Sequence, residues 1–139
     1  MDPIRTFSII SWIALPTVMF GGFSLLGLIV GGELSPFQQT FFRAGHAHAG
    51  VLILMSLLYH NYLGRTTVTR RLKVIACIVL LLGILAQSGG FFLHMAVGAP
   101  GQASAGTMIT GLGALLLAVA VALLVYAMVV TPPGQRVLS

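Results

Sequence analysis

The residues of this chain best suited to chemistry are three histidines, His46, His48 and His94. Imidazole is costly in hydrocarbon, and it is a common ligand of metal ions and of haem iron. A single alanine separates the first two, whereas His94 comes much later in the chain. Whether the three can act together depends on the elements that carry them.

The composition is that of an integral membrane protein. Of 139 residues, 58% are hydrophobic and only 6% are charged, and the mean hydropathy is +1.04. A soluble domain carries roughly 25% charged residues. Four apolar stretches exceed the roughly 20 residues that a bilayer requires, and backbone polar groups in lipid must be satisfied within a helix. We predict a single all-α domain, residues 1–139, with four transmembrane helices near residues 7–30, 42–63, 72–97 and 105–130.

The basic residues predict the orientation of these helices. Six of the seven fall before helix 1, between helices 2 and 3, or after helix 4: Arg5, Arg65, Arg70, Arg71, Lys73 and Arg136. The positive-inside rule assigns these positions to the cytoplasm, so both termini are expected there and the protein is a multi-pass protein of the plasma membrane. This topology and attraction to anionic lipid account for the net charge of +5 without a nucleic-acid partner.

The topology brings the histidines to one membrane face. Helix 2 runs inward and helix 3 runs outward, so His46 and His48 are expected in the first outer turns and His94 in the last ones. At about 100° per residue, His46 and His48 point about 200° apart. They are therefore expected to serve two different neighbours or two different cofactors.

Two glycines accompany these histidines. Gly50 lies one turn below His46 and Gly90 one turn below His94, on the same helix faces. Glycine allows a flat, bulky group to approach the backbone, as a porphyrin would. The alternative is that both glycines only permit close contact between helices.

The fourth histidine, His60, lies 14 residues after His46, about 21 Å along the helix and near its cytoplasmic end. It is either an interfacial residue in an aromatic belt with Tyr59 and Tyr62, or a second cofactor ligand on the face of His46. The single cysteine, Cys77, is expected to be a small buried side chain, and it rules out an intrachain disulfide.

Two segments of the sequence resemble a known family. Residues 45–52, Gly-His-Ala-His-Ala-Gly-Val-Leu, resemble the His-x-His helix of the haem–copper oxidase superfamily, which includes cytochrome oxidase subunit I and nitric oxide reductase. They are also similar to the His-Ala-His stretch of the NnrS membrane haem proteins. In the oxidases, one histidine of the pair holds the high-spin haem and the other holds the low-spin haem. Residues 93–98 resemble the oxidase segment whose His-His-Met run supplies copper ligands.

The resemblance also implies an architecture. Subunit I has twelve helices in three arcs of four, with the His-x-His on the second helix of an arc. This chain resembles one arc, so the resemblance implies a homotrimeric ring with cofactors held between protomers. One histidine stands where the copper site has two, and no His-Pro-Glu-Val-Tyr segment occurs. Haem binding is therefore a better-supported expectation than oxygen reduction by an oxidoreductase.

The expected function is that of a membrane haem b protein, for electron transfer or for binding a diatomic gas such as O2 or NO. His46 and His48 are the predicted axial ligands, and His94 is a distal group or a third ligand. Arg43 is expected to pair with haem propionates, or else to snorkel or to pair with Glu33. A redox partner, such as a quinol, is implied but not identified.

Two alternatives come from other classes of protein. One is a copper or zinc site at the outer face, with imidazole, carboxylate and thioether ligands. Its ligands would be drawn from His46, His48, His94, Glu33 and Met95. The other is a cofactor-free accessory subunit of a respiratory complex. Hydrolysis by paired carboxylates is excluded within one chain, because Asp2 and Glu33 are the only carboxylic side chains.

Overall fold

The computed structural model describes residues 2–132, and within them the prediction of an all-helical chain is confirmed. Four helices are long and apolar enough to cross a membrane. They are α1 (Pro3–Val30), α2 (Pro36–Gly64), α3 (Arg70–Val97) and α4 (Ala105–Val130). Arg136, which contributed to the predicted orientation, lies outside the described residues.

Helix α2 begins at Pro36, six residues before the predicted start at residue 42. The reason is a capping box: Gln38 N donates to Ser35 Oγ at 3.3 Å, and Ser35 N donates to Gln38 Oε1 at 2.9 Å. Proline at the first helical position adds to this start signal, because its φ is already helical. Consequently His46 lies ten residues, or about 15 Å, along the helix from Pro36, which is deeper than the first outer turns in which it was expected.

The helices form an open layer in chain order. α3 packs most extensively against α4, α2 lies between α1 and α3, and no contact between α1 and α4 is present within the described residues. Short connections make sequential helices antiparallel. We call the end of the layer with Arg65, Arg70 and Arg71 the basic end, and the other end, with Ser104, the His94 end.

Small residues spaced seven apart bring α3 and α4 together. The buried residues of α4 are Gly106, Gly113, Ala120 and Ala127, and α3 buries Ala76, Gly83 and Gly90 at the same interval. A seven-residue repeat of small residues keeps one face towards an antiparallel neighbour and lets the backbones touch. A β-carbon at Gly90 would collide with Thr110 and with the Gly106 carbonyl oxygen. Two further small residues of α4, Gly111 and Ala118, lie on the surface of the chain.

Candidate histidine sites

The His46 ring packs against α1, at the glycine pair Gly21–Gly22. A β-carbon built on Gly22 would lie 2.8 Å from His46 Nε2 and 2.9 Å from its Cε1, and one on Gly21 would lie 3.8 Å from Nδ1. Two successive glycines in an apolar helix therefore make the space that this imidazole fills. The spacing of the histidines does not predict these partners, and the Gly21–Gly22 pair is the one signal of them in the sequence.

The His48 ring turns to the opposite side of α2. Its Nδ1 lies 2.8 Å from the Ala44 carbonyl oxygen, and its ring centroid lies 4.7 Å from that of Phe91 on α3. A carbonyl oxygen can only accept, so the Nδ1 of His48 carries the proton and donates it. In the neutral ring, Nε2 then keeps its lone pair.

His46 and His48 thus face different neighbouring helices, α1 and α3, as the helical period predicts. On a helix, a separation of two residues turns side chains away from each other. Hence one regular helix does not present both rings to a single ion or iron atom.

His94 is buried, with 4% of its surface exposed, at the junction of three helices. Its Nδ1 lies 2.7 Å from Ser104 Oγ, and Ser104 is the N-cap of α4. Two rings of α2 enclose it, since Phe41 lies 4.3 Å and Phe37 5.3 Å away between centroids, both edge to face. His94 therefore ties the end of α3 to the start of α4 and to the first turns of α2.

The three histidines do not meet. His94 is level with Phe37 and Phe41, whereas His48 comes seven residues after Phe41, about 10 Å deeper along α2. Aromatic rings join the two levels, because Phe41 lies 6.5 Å from Phe91, which contacts His48. Within residues 2–132 there is no group of three or more His, Cys, Asp or Glu side chains placed to hold a metal ion. The outer-face copper or zinc site stays a prediction.

Three further residues were predicted to belong to the histidine sites: Gly50, Gly90 and Arg43. Gly90 packs on α4, which is the helix-contact role of the two that the sequence left open. Gly50 faces α1, where a β-carbon would find only Val18 Cγ1, at 3.8 Å, so it keeps room beside the backbone. Arg43 is exposed on the surface of the chain, as its predicted pairing with an external carboxylate requires.

His60 is one of the most buried polar residues, with 2% of its surface exposed. Both of its ring nitrogens are buried without a hydrogen-bond partner among the described residues. Tyr59 is buried as well and donates a hydrogen bond of 2.7 Å to the Ala120 carbonyl oxygen of α4, whereas Tyr62 is half exposed. An aromatic belt at the interface therefore does not describe Tyr59 and His60.

Comparison of the chain with family models, with curated proteins and with solved structures returned no match.

Proposed function

We propose that this chain is a membrane haem b protein that transfers electrons or binds a diatomic gas, with His48 as the principal iron ligand. The observation that carries the proposal is the 2.8 Å hydrogen bond from His48 Nδ1 to the Ala44 carbonyl oxygen. Ligand histidines in proteins characteristically donate their other ring N–H to a carbonyl or a carboxylate, which sets the tautomer and the ring orientation. His48 has this arrangement, and its Nε2 is the atom left for a ligand.

The surroundings of His48 suit a flat, apolar ligand. Phe91 lies beside the imidazole, and Phe41 continues the aromatic surface towards the His94 end. Aromatic rings beside a bound haem would exclude water and lower the local dielectric constant, and both effects change the redox potential of haem iron. The bound haem would supply a one-electron couple or an iron site for a diatomic gas.

His46 fits a ligand role less well than His48. The Nε2–Cε1 edge of its ring lies against Gly22, so the α1 backbone occupies the space beside that nitrogen. Ligation through His46 requires the ring to leave the glycine cleft, for example where a second protomer displaces α1. The two histidines therefore differ in how accessible their Nε2 atoms are to an iron atom, and their spacing in the sequence does not predict this difference.

The open layer supports assembly with other copies of the chain. Among residues 2–132, the edge helices α1 and α4 do not contact each other, so each has an apolar face that no described helix covers. Exposed side chains on α1 include Trp12, Phe20 and Phe23. Exposed apolar faces alone do not distinguish contact with lipid from contact with a second protomer. The homotrimeric ring therefore rests on the resemblance to one arc of the oxidases, and it is part of the proposal. Arg43 is exposed on the surface of the chain, and in that ring it would pair with the haem propionates of a shared site.

The test is an optical spectrum of the protein purified in detergent after expression with ample haem. A Soret band with sharp α and β bands after dithionite reduction is expected for six-coordinate haem and electron transfer. A broad high-spin spectrum that shifts with carbon monoxide would support gas binding instead. Absence of a Soret band would contradict the proposal and leave the cofactor-free accessory subunit or a copper or zinc protein.

A further inference from the structure

A second candidate site lies towards the basic end, away from His46, His48 and His94. A cavity of about 10 Å³ opens between α1, α2 and α3, beside the buried His60. Its polar lining comes from one residue or two on each helix, namely Ser11, Ser56, His60 and Cys77. Phe7, Ile10 and leucine or isoleucine side chains of α3 complete the wall. The space is too small for an organic molecule and suits a single ion or a single water.

The two serine hydroxyls in this lining already have partners. Ser56 Oγ lies 2.7 Å from the Ile53 carbonyl oxygen and 2.8 Å from Ser11 Oγ, and Ser11 donates to the Phe7 carbonyl oxygen at 3.1 Å. They therefore do not bond to the His60 ring, whose Nδ1 and Nε2 are both buried and unpartnered. A buried imidazole without any partner is costly, since its nitrogens have lost water and gained nothing in return.

Cys77 brings a soft ligand to the same cavity. It is fully buried, with 0% of its surface exposed, and it is the only cysteine of the chain. Imidazole nitrogen with thiolate sulfur is a donor set that favours Cu(I) and Zn(II) over hard cations. Charge then decides between these two ions.

We propose that His60 and Cys77 form a two-coordinate site for a monovalent soft cation, Cu(I), inside the membrane. When Cu(I) binds, the S–H bond of Cys77 breaks, a Cu–S bond forms, and the proton is released to water outside the membrane, with no change of oxidation state. One thiolate, one neutral imidazole and Cu(I) sum to zero charge, which a membrane interior tolerates. Zn(II) on the same pair would leave one uncompensated positive charge and two of its four usual ligand positions empty.

The site is distinct from the proposed haem site and does not depend on it. His60 lies twelve residues after His48 on α2, about 18 Å along the helix axis. His60 also lines a wider groove between α1 and α2, with Ser8, Trp12 and Asn61. This groove opens on the surface of the chain and shares His60 with the cavity.

The experiment is an anaerobic titration of the reduced, detergent-purified full chain with Cu(I), in competition with the colorimetric chelator bicinchoninate. We expect one equivalent of Cu(I) per chain, and an X-ray absorption spectrum at the copper edge with one sulfur and one nitrogen neighbour. The Cys77→Ser variant, which keeps the size of the side chain, should lose this equivalent. His60→Leu should weaken it by more than about 100-fold, the upper end of the loss caused by removing even an outer-shell partner.

The control is Ser88→Ala, since the Ser88 hydroxyl on α3 is also buried without a partner among the described residues but does not line the cavity. It should bind Cu(I) like the original chain, as should the double variant His46→Ala/His48→Ala. If His60→Leu fails to fold, the loss or retention of Cu(I) binding in Cys77→Ser tests the site by itself. Copper with only nitrogen neighbours, retention of the full equivalent in Cys77→Ser, or no binding at all would each overturn the proposal.

Discussion

His46 Nε2 lies so close to Gly22 that a β-carbon there would approach it to 2.8 Å. This contact joins α1 to α2 through a polar ring instead of through paired apolar side chains. It also couples the position of the imidazole to the identity of one residue on another helix, because nothing but hydrogen fits between them.

Gly22→Ala is therefore expected to force the His46 ring out of its cleft. We expect a loss of about 1–3 kcal/mol in the free energy of unfolding in detergent, as for other overpacked contacts. The matched control is Gly27→Ala on the same helix, where a β-carbon would meet nothing within 4 Å. In the background of His46→Ala, the Gly22→Ala change should become nearly neutral. An equal effect with and without His46 would show that the contact is not responsible.

Two adjacent glycines of α3 allow a sharper comparison. Gly90 touches the backbone of α4 at Gly106, whereas a β-carbon on Gly89 would meet nothing within 4 Å. Gly90→Ala should destabilise the protein by about 3 kcal/mol or more, because a backbone cannot move aside as a side chain can. Gly89→Ala should be neutral or slightly stabilising, since alanine favours a helix. Thermal unfolding of the two variants in one detergent measures the difference, and equal midpoints would contradict the close contact of α3 with α4.

The contact of His94 with Ser104 predicts coupled effects on stability. Ser104→Ala removes both the N-cap of α4 and the partner of the His94 ring, with an expected cost of about 1–3 kcal/mol. Thr107→Ala is the control, because Thr107 belongs to the same capping box and does not bond to His94. A double-mutant cycle of His94→Ala with Ser104→Ala should give a coupling energy of at least about 0.5 kcal/mol. Additive effects would show that the hydrogen bond contributes nothing to stability.

The proposed iron ligand predicts an unequal pair of histidine variants. His48→Ala should abolish haem loading, or at least halve it, because His48 Nε2 is the nitrogen left free by the bond to Ala44. His46→Ala is also expected to reduce loading, but by less, since its ring lies in the glycine cleft of α1. His60→Ala should leave the haem content largely intact. The measurement is the ratio of Soret absorbance to protein concentration for each variant, with the protein concentration determined by amino-acid analysis. Full haem retention in both His46→Ala and His48→Ala would reject the ligand assignment, and loss in His60→Ala would move the cofactor towards the basic end.

Tyr59 and Tyr62 test the packing of α2 on α4. Tyr59→Phe removes the hydrogen bond to the Ala120 carbonyl oxygen and should cost about 0.6 kcal/mol, the average for such bonds between membrane helices. Tyr62 is half exposed, and its replacement by phenylalanine should leave the free energy of unfolding unchanged. Equal stabilities of the two variants would argue against the bond.

Several features of this protein follow from the sequence alone, because they depend only on helix geometry and on the needs of a backbone in lipid. The lengths of the apolar stretches predict four spanning helices, and the period of 3.6 residues predicts that His46 and His48 face different neighbours. The capping box formed by Ser35 and Gln38 also predicts the start of α2 at Pro36. Hydropathy alone predicts a start six residues later.

Only the tertiary structure decided which face each helix turns to its neighbour. Helix α4 is apolar on every side, so its hydropathy does not distinguish the buried Gly113 from the exposed Gly111. Hydropathy also does not predict the burial of His60, because its position beside the same cavity as Cys77 depends on three helices meeting at one depth. In a membrane, lipid and protein neighbours are equally apolar, and the pattern that marks a buried face in a soluble helix is absent. Contacts such as that of His94 with Ser104 therefore emerge only when the helices are packed.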